Sequence, residues 1–441
     1  MMERQKLTVL GPGDPLPDDG HAVLLIDDQT YSKETFESLA DKVVLGESIA
    51  EVQSGYRLKD DAREALAGID EVSGHVLFFA TDDTHANTFL RIAPHCSRST
   101  IVVHRTLDLG ARAALEAEGV HYVVHSRNLR EFSEADIAIM GNDNGKEERL
   151  FIHHCRSHRI PVICLQEAVN MDFDGPVMRW TDRTFVGGTH ALRYHTRTMN
   201  VLTGNPRYDD IRQKPLQENP YVLINCNFTY GVAIGWARTW LDQAIEAAKD
   251  AGMDYRITVH PRDETDLSGI EYVLDSGAFV VHEQIAGCYA LVSRDSSLPY
   301  EALLMNRHVV YFNPFHERER CLNEDDTGLI GKCDTKEDLQ TMLRELAEKP
   351  LPLDAGPSSS EMFRHYFTGI DGVNHLRVVR ALQTFLDHDY LGRPDAWADS
   401  YGVAYAQMWL QNVLRPKLRS VAWLRFAWRF VKYRIFRYPD K

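Results

Sequence analysis

Several short apolar runs in this chain end in residues able to hold phosphate or to move a proton. His260-Pro261-Arg262 directly follows the run RITVH. An imidazole and a guanidinium at a strand end can contact a phosphate or a sugar hydroxyl, although the proline also suits a plain loop. Ser293 closes the run ALVS, and Ser296 and Ser297 precede the helical pattern that contains Glu301. The paired serines can cap that helix, and the same free N–H groups attract an anion, so cap and phosphate cradle are compatible roles. Two carboxylates close apolar runs in the first half: Asp143 after DIAIM, and Glu167 after PVICLQ. Both are candidates for a general base. Asp143 stands in an Asn/Asp/Gly stretch and reads equally well as a turn residue.

Two other groupings invite chemistry and do not sustain it. His153, His154, Cys155 and His158 cluster on a helical pattern, but no HExxH motif or fixed carboxylate accompanies them, so no metal or other cofactor is expected. Gly11-Pro12-Gly13 follows LTVL without the spacing of a dinucleotide-binding loop and reads as a turn.

These residues need a scaffold that brings strand ends together. The first half alternates β-rich runs at 7–10, 22–27, 75–80, 100–104, 121–125, 136–141, 161–167 and 184–188 with helical patterns such as 108–118 and 146–158. Continuous Val/Ile/Leu runs suit a parallel sheet buried on both faces. GNPRYDDIRQKPLQENP, at 204–220, breaks the rhythm and reads as a linker. Alternation resumes with strands at 221–227, 256–260, 278–283, 290–293 and 308–312, and with helices at 233–250 and 336–348. The expected architecture is α/β: one Rossmann-like unit at 1–205, a second at 206–395, and C-terminal helices at 396–441.

With 441 residues, 44% hydrophobic and 26% charged, the chain suits two folded domains. Seven scattered cysteines without a CxxC pair read as reduced thiols, no signal pattern opens the sequence, and no apolar run is long enough to span a bilayer. A cytoplasmic location is therefore expected. The net charge of −15 does not favour nucleic acid. From Arg415 onward, however, nine Lys/Arg stand against one Asp, a local +8 that leaves −23 for the first 414 residues. Leu424, Ala427, Trp428, Val431 and Ile435 form an apolar stripe there, with Arg425, Arg429 and Lys432 on the other side. Such a basic amphipathic helix can lie on an anionic membrane, or pack its stripe on the body.

The segments GNDNGKEERLFIHHCRSHRIPVICLQEA, Gly204-Asn205-Pro206 followed by Asp209, HPRDE, DSSLPYEALLM and HERER occur in this order. In that order they resemble the motifs of the UDP-N-acetylglucosamine 2-epimerase and GT-B glycosyltransferase superfamily over about residues 136–330. The resemblance implies a GT-B fold: two Rossmann-like domains facing a cleft. It also implies nucleotide contacts from Gly204, Asn205, His260, Pro261, Arg262, Ser293, Ser296, Ser297 and Glu301, and catalysis by Glu167, Asp143 and His260. The epimerase segments GTRPE and DSGG are absent: LTVL leads to GPGDP, and DSSL stands in place of the second. His-Pro and Ser-Ser resemble motifs of bacterial CMP-sugar transferases, the sialyl- and Kdo-transferases, and Asp-x-Ser-Ser resembles the CDP-glycerol glycerophosphotransferases. The implied activity is transfer from a nucleotide-activated sugar, CMP-linked before UDP-linked, to a saccharide or lipid-linked acceptor of surface polysaccharide or lipopolysaccharide. The alternatives are a hydrolysing 2-epimerase, a glycerophosphotransferase, or a non-catalytic nucleotide-sugar-binding paralogue.

Overall fold

The computed structural model describes residues 8–10, 22–25, 43–46, 71–104, 108–125, 134–143, 145–169, 180–188, 191, 199–211, 214–229, 233–260, 263–275, 280–294, 296–317, 322, 327–352, 366–367 and 372–388. The basic segment from Arg415 onward, with Arg425, Trp428, Arg429, Val431 and Lys432, lies outside them, as do Pro261 and Arg262. Among the described residues no helix is long and apolar enough to cross a membrane.

The first sheet is built from β1 (Thr8–Leu10), β2 (Ala22–Leu25), β3 (Val43–Gly46), β4 (Val72–Ala80), β5 (Cys96–His104), β6 (Tyr122–His125), β7 (Ile137–Met140), β8 (Val162–Leu165), β9 (Arg183–Val186) and β10 (Met199–Leu202). Their spatial order is β1-β2-β3-β10-β9-β8-β7-β4-β5-β6. Neighbouring strands run parallel throughout. From β4 the chain steps outward to β5 and β6, then returns to the other side of β4 and steps away through β7, β8, β9 and β10. The doubly wound unit therefore begins at β4. LTVL is a strand, but it sits at the far edge beyond β3, and the segment that follows the unit's first strand is Thr81-Asp82-Asp83-Thr84-His85.

The second sheet has the order β12-β11-β13-β14-β15. Its strands are β11 (Tyr221–Cys226), β12 (Tyr255–Val259), β13 (Cys288–Ser293), β14 (His308–Phe312) and β15 (Ile330–Cys333), all parallel. Each sheet reverses direction once, between β4 and β7 and between β11 and β13. The crevice outside the carboxyl ends at such a reversal is where open α/β sheets bind ligands.

Helices α1 (Asp83–Ile92), α2 (Ala111–Ala117), α3 (Lys146–Ser157), α4 (Ala237–Asp250), α5 (Val280–Gly287), α6 (Leu298–Leu304), α7 (Lys336–Ala347) and α8 (Asn374–His388) flank the two sheets. Alternate strand residues feed opposite layers. Phe78, Ile139 and Ile163 face a core completed by Val378, Leu382 and Phe385 of α8, while Leu77, Phe79 and Met140 face Phe151 and Ile152 of α3. Each such fully buried side chain stabilises by about 1.5–3 kcal/mol. Helix α8, well inside the second half of the sequence, thus crosses back onto the first sheet. Asp209 fixes its start: the carboxylate accepts the backbone N–H groups of Asn374 and His375, at 2.9 and 2.8 Å, and faces His375 Nδ1 at 2.8 Å.

Residues 280–283, expected within a strand, open α5 instead. Consecutive parallel strands need a crossover, and a strand ending at 283 would leave too few residues to return before β13 starts at Cys288. Strands β3, β10 and β15 are additions to the expected set. Each has four residues, and MNVL and IGKC mix polar residues into a short apolar signal.

Candidate active site

The first reversal is occupied by ionisable side chains. Asp82 caps α1, accepting the backbone N–H of His85 at 2.7 Å. This cap turns the His85 ring inward, where Nδ1 lies 3.1 Å from Thr81 Oγ1 and 3.5 Å from Asp82 Oδ1. On the other edge of the ring, Nε2 lies 3.3 Å from Glu167 Oε2. Gly141, at the end of β7, provides the room, since a Cβ there would stand 2.1 Å from the ring. Burial disfavours charge on His85, but Asp82 and Glu167 outweigh it and hold the imidazolium up to about 9. Glu148 of α3 is buried nearby, and burial pushes its carboxyl up to about 7. Donor atoms of Asp82, His85 and Glu167 lie within 4.8 Å of one another, a spacing that a cation could share. A proton on His85 already supplies positive charge at that point.

Glu167 is held by its backbone. Asn205 Nδ2 donates to the carbonyls of Gln166 and Glu167 at 2.5 and 3.0 Å, and Gln166 Oε1 accepts Gly187 N–H at 2.8 Å. Gly204, at φ +70°, packs on Asn374, where a Cβ would meet Oδ1 at 1.9 Å. Gly204 and Asn205, expected among nucleotide contacts, here lock the strand end that carries Glu167. Asp143 has no exposure and accepts the N–H groups of Trp180 and Thr181 at 2.7 and 3.3 Å. Of its two readings, this geometry favours the loop anchor over the base.

At the second reversal, Asn225 Nδ2 donates to Ser293 Oγ at 2.9 Å, and His260 Nδ1 lies 3.1 Å from Thr229 Oγ1, which donates to Asn227 Oδ1 at 2.8 Å. Arg294 is buried with two N–H groups on Glu317 and a third on the Asn227 carbonyl. Ser296 Oγ accepts Leu298 N–H at 3.2 Å, so the first serine is a local cap. Ser297 Oγ accepts from Arg207 at 3.4 Å. Arg207 also pairs with Glu301 at 2.8 Å, and His282 Nε2 reaches the other Glu301 oxygen at 2.7 Å. Burial opposes charge on Glu301, yet Arg207 and His282 hold its carboxyl below the ordinary range. An ionised carboxylate repels phosphate but can accept from a hydroxyl, and here Glu301 retains Arg207 beside Ser297. Arg207 is sensitive to the Glu167 charge as well, and so joins the two clusters.

No protein-family model matches the chain, and no curated protein matches it. Seventy-two chains of solved structures do match. One, from Listeria monocytogenes and named as a UDP-N-acetylglucosamine 2-epimerase, superposes with a TM-score of 0.53 at 13% identity, over 71% of this chain and 96% of that one. The fold is GT-B. A UDP-GlcNAc 2-epimerase from Neisseria meningitidis (TM-score 0.47, 12% identity, 70% of this chain and 99% of that one) and MurG from Acinetobacter baumannii (0.47, 10%, 70% and 99%) are further matches.

Within the GT-B frame, five functional candidates escaped sequence reasoning: Asp82, His85, Arg207, His282 and the Arg294–Glu317 pair. TDDTH follows the apolar run HVLFFA just as GPGDP follows LTVL. LTVL, the first β-rich run in the sequence, draws the likeness to GTRPE to GPGDP, whereas the unit's first strand leads into Thr81–His85.

Proposed function

We propose that the chain is a glycosyltransferase that moves a sugar from a nucleotide-activated donor to a saccharide or lipid-linked acceptor of cell-surface polysaccharide. The observation that carries this reading is the pair of polar clusters at the two reversals, with Arg207 between them. The second cluster offers hydroxyls, amides and an imidazole for a nucleotide diphosphate or monophosphate; the first offers a carboxylate base. In the reaction, the acceptor oxygen bonds to the anomeric carbon as the bond from that carbon to the phosphate oxygen breaks. Glu167 takes the acceptor proton, and His260, Ser297 and Arg262 balance the charge left on the nucleotide. A cytidine-linked donor is favoured by the His-Pro and Ser-Ser segments, with a UDP-linked donor next. The same segments suit a CDP-glycerol donor, whose transferred group would be glycerol phosphate.

A thermal-shift series with CMP, CDP, UDP and GDP tests the reading and should give one preferred base. Ser296→Ala combined with Ser297→Ala should then weaken that nucleotide by about 1–3 kcal/mol in calorimetry, the usual cost of hydrogen bonds to a charged group. Undiminished affinity would remove the serines from the site. Conversion of UDP-GlcNAc without any acceptor would favour the 2-epimerase alternative, while binding without turnover on any acceptor would favour a paralogue that has lost catalysis.

The segment from Arg415 onward, with Arg425, Trp428, Arg429, Val431 and Lys432, is proposed to hold the enzyme on an anionic membrane. Each Lys or Arg near such a surface contributes on the order of 1 kcal/mol, screened by salt. The full chain should sediment with phosphatidylglycerol vesicles, less with neutral ones, and a 1–414 truncation should stay in solution while still binding nucleotide. Equal sedimentation of the two forms, or unfolding of the truncation, would instead assign the segment to the protein body.

A further inference from the structure

Three carboxylates act on the His85 ring from separate elements: Asp82 at the start of α1, Glu148 on α3 and Glu167 beyond β8, and Glu167 in turn is coupled to Arg207. The ring has only 3% exposure, so its contacts are with protein rather than with bulk water. Gly141 admits it, the Asp82 cap orients it, and Asn205 fixes the backbone of its partner. This is a large structural investment in one histidine that faces a cleft carboxylate with its far nitrogen. An imidazole needed only for packing would not be placed between two carboxylates, since burying charge is costly unless the charge is used or paired.

We infer that His85 is a positioning residue, an imidazolium bridge that ties Asp82 to Glu167 and keeps the Glu167 carboxylate aimed into the cleft as an anion. The inference rests on Glu167 being the base. Three consequences follow for catalysis. A cation 3.3 Å from Glu167 Oε2 favours the ionised form of that carboxylate. The bridge removes rotamer freedom that a free glutamate would lose on reaching its reactive geometry. Asp82, through its charge, holds the proton on His85, so it acts on Glu167 without touching it. The sign is fixed by the geometry. His85 is held above its ordinary 6.5, up to about 9, so the bridge is complete below pH 6.5 and is lost as pH rises through about 9.

The test uses the full chain and two readouts. Histidine ring carbon–proton resonances are followed against pH, the His85 signal being identified by its loss in His85→Gln. The parent midpoint should lie near 9, and it should move towards 6.5 in Asp82→Asn, a variant that keeps the helix cap but not the charge. A parent midpoint at or below 6.5 overturns the bridge. Nucleotide release is then measured from CDP-glycerol, CMP-sialic acid or UDP-GlcNAc, whichever turns over. His85→Gln should lower kcat by tens of fold with little change in KM, and should move the acidic limb of the pH profile up. Asp82→Asn should move the alkaline limb down. Parent-like pH profiles in both variants overturn the inference even if their melting temperatures fall. If Glu167→Gln keeps full turnover, the assignment of the base fails, and the resonance midpoint still decides the bridge. Tight calorimetric binding of Mn²⁺ or Zn²⁺, lost together in Asp82→Asn, His85→Gln and Glu167→Gln, would also overturn it in favour of a metal centre.

Discussion

Glu167→Gln should reduce sugar transfer by about a thousandfold while leaving nucleotide affinity within about twofold of the parent. The substitution is nearly isosteric. It keeps the backbone clamp from Asn205, because that clamp engages the main-chain carbonyl and not the carboxylate. What it removes is the proposed proton acceptor, together with the charge 3.3 Å from His85 Nε2. The proposed nucleotide cluster, around Asn225, His260 and Ser293, is built on the other sheet and should not change. A loss in kcat without a loss in binding is the signature of a group that acts only in the transition state. Asp143→Asn is the contrasting variant. Its carboxylate accepts two backbone N–H groups with no exposure, so it should lower the melting temperature and spare turnover in the molecules that remain folded. If Glu167→Gln keeps more than a tenth of the activity and Asp143→Asn does not, the two roles must be exchanged.

The sequence carried the alternation that makes two parallel sheets, because a strand buried on both faces must be apolar throughout and IAIM, VICL and HVVYF are. It did not carry the strand order. The order depends on which strand starts the doubly wound unit, and LTVL and HVLFFA both read simply as short β-rich runs. Consequently Glu167, Ser293 and His260 were recognisable as residues ending apolar runs and Ser297 as one preceding a helical pattern, whereas His85 was not. It lies five residues beyond a strand, inside the first turn of a helix, and gains its meaning only when β7 and β8 are placed beside β4. Arg207 was hidden for a different reason. It sits in a polar, proline-containing stretch that reads as a linker, yet Pro206, Tyr208 and Asp209 around it are buried. Polar composition there reflects a corner densely hydrogen-bonded to α8, a property that no local pattern distinguishes from solvation. Residues 280–283 show the converse failure, since a β-branched pair can open a helix when the crossover demands one.

Arg294→Met should destabilise the second half by about 3–5 kcal/mol, because it leaves Glu317, with only 10% exposure, without its cation. The guanidinium is 2% exposed and connects three carboxyl-end loops. It donates two N–H groups to Glu317 beyond β14 and one, at 2.8 Å, to the Asn227 carbonyl beyond β11, while itself following β13. It also lies 4.5 Å above the Phe228 ring. Glu317 is in turn tied to Asn313, whose side chain accepts its N–H at 2.7 Å and donates to its carbonyl at 3.0 Å. For a domain of this size each kcal/mol shifts the midpoint by about 2–4 °C, so the melting temperature should fall by roughly 6–20 °C. Methionine matches much of the arginine stem, which confines the loss to the ion pair and its hydrogen bonds. Adding Glu317→Gln should restore a large part of the stability, since no buried charge is then left unpaired, and this rescue separates an ion-pair effect from a packing effect. Nucleotide affinity should not return with stability. Asn227 and Thr229 hold His260, and the Asn227 carbonyl still lacks the Arg294 N–H that orders it. A double variant no more stable than Arg294→Met would show that the guanidinium acts by filling space, and a double variant that binds nucleotide as the parent does would separate this clasp from the site.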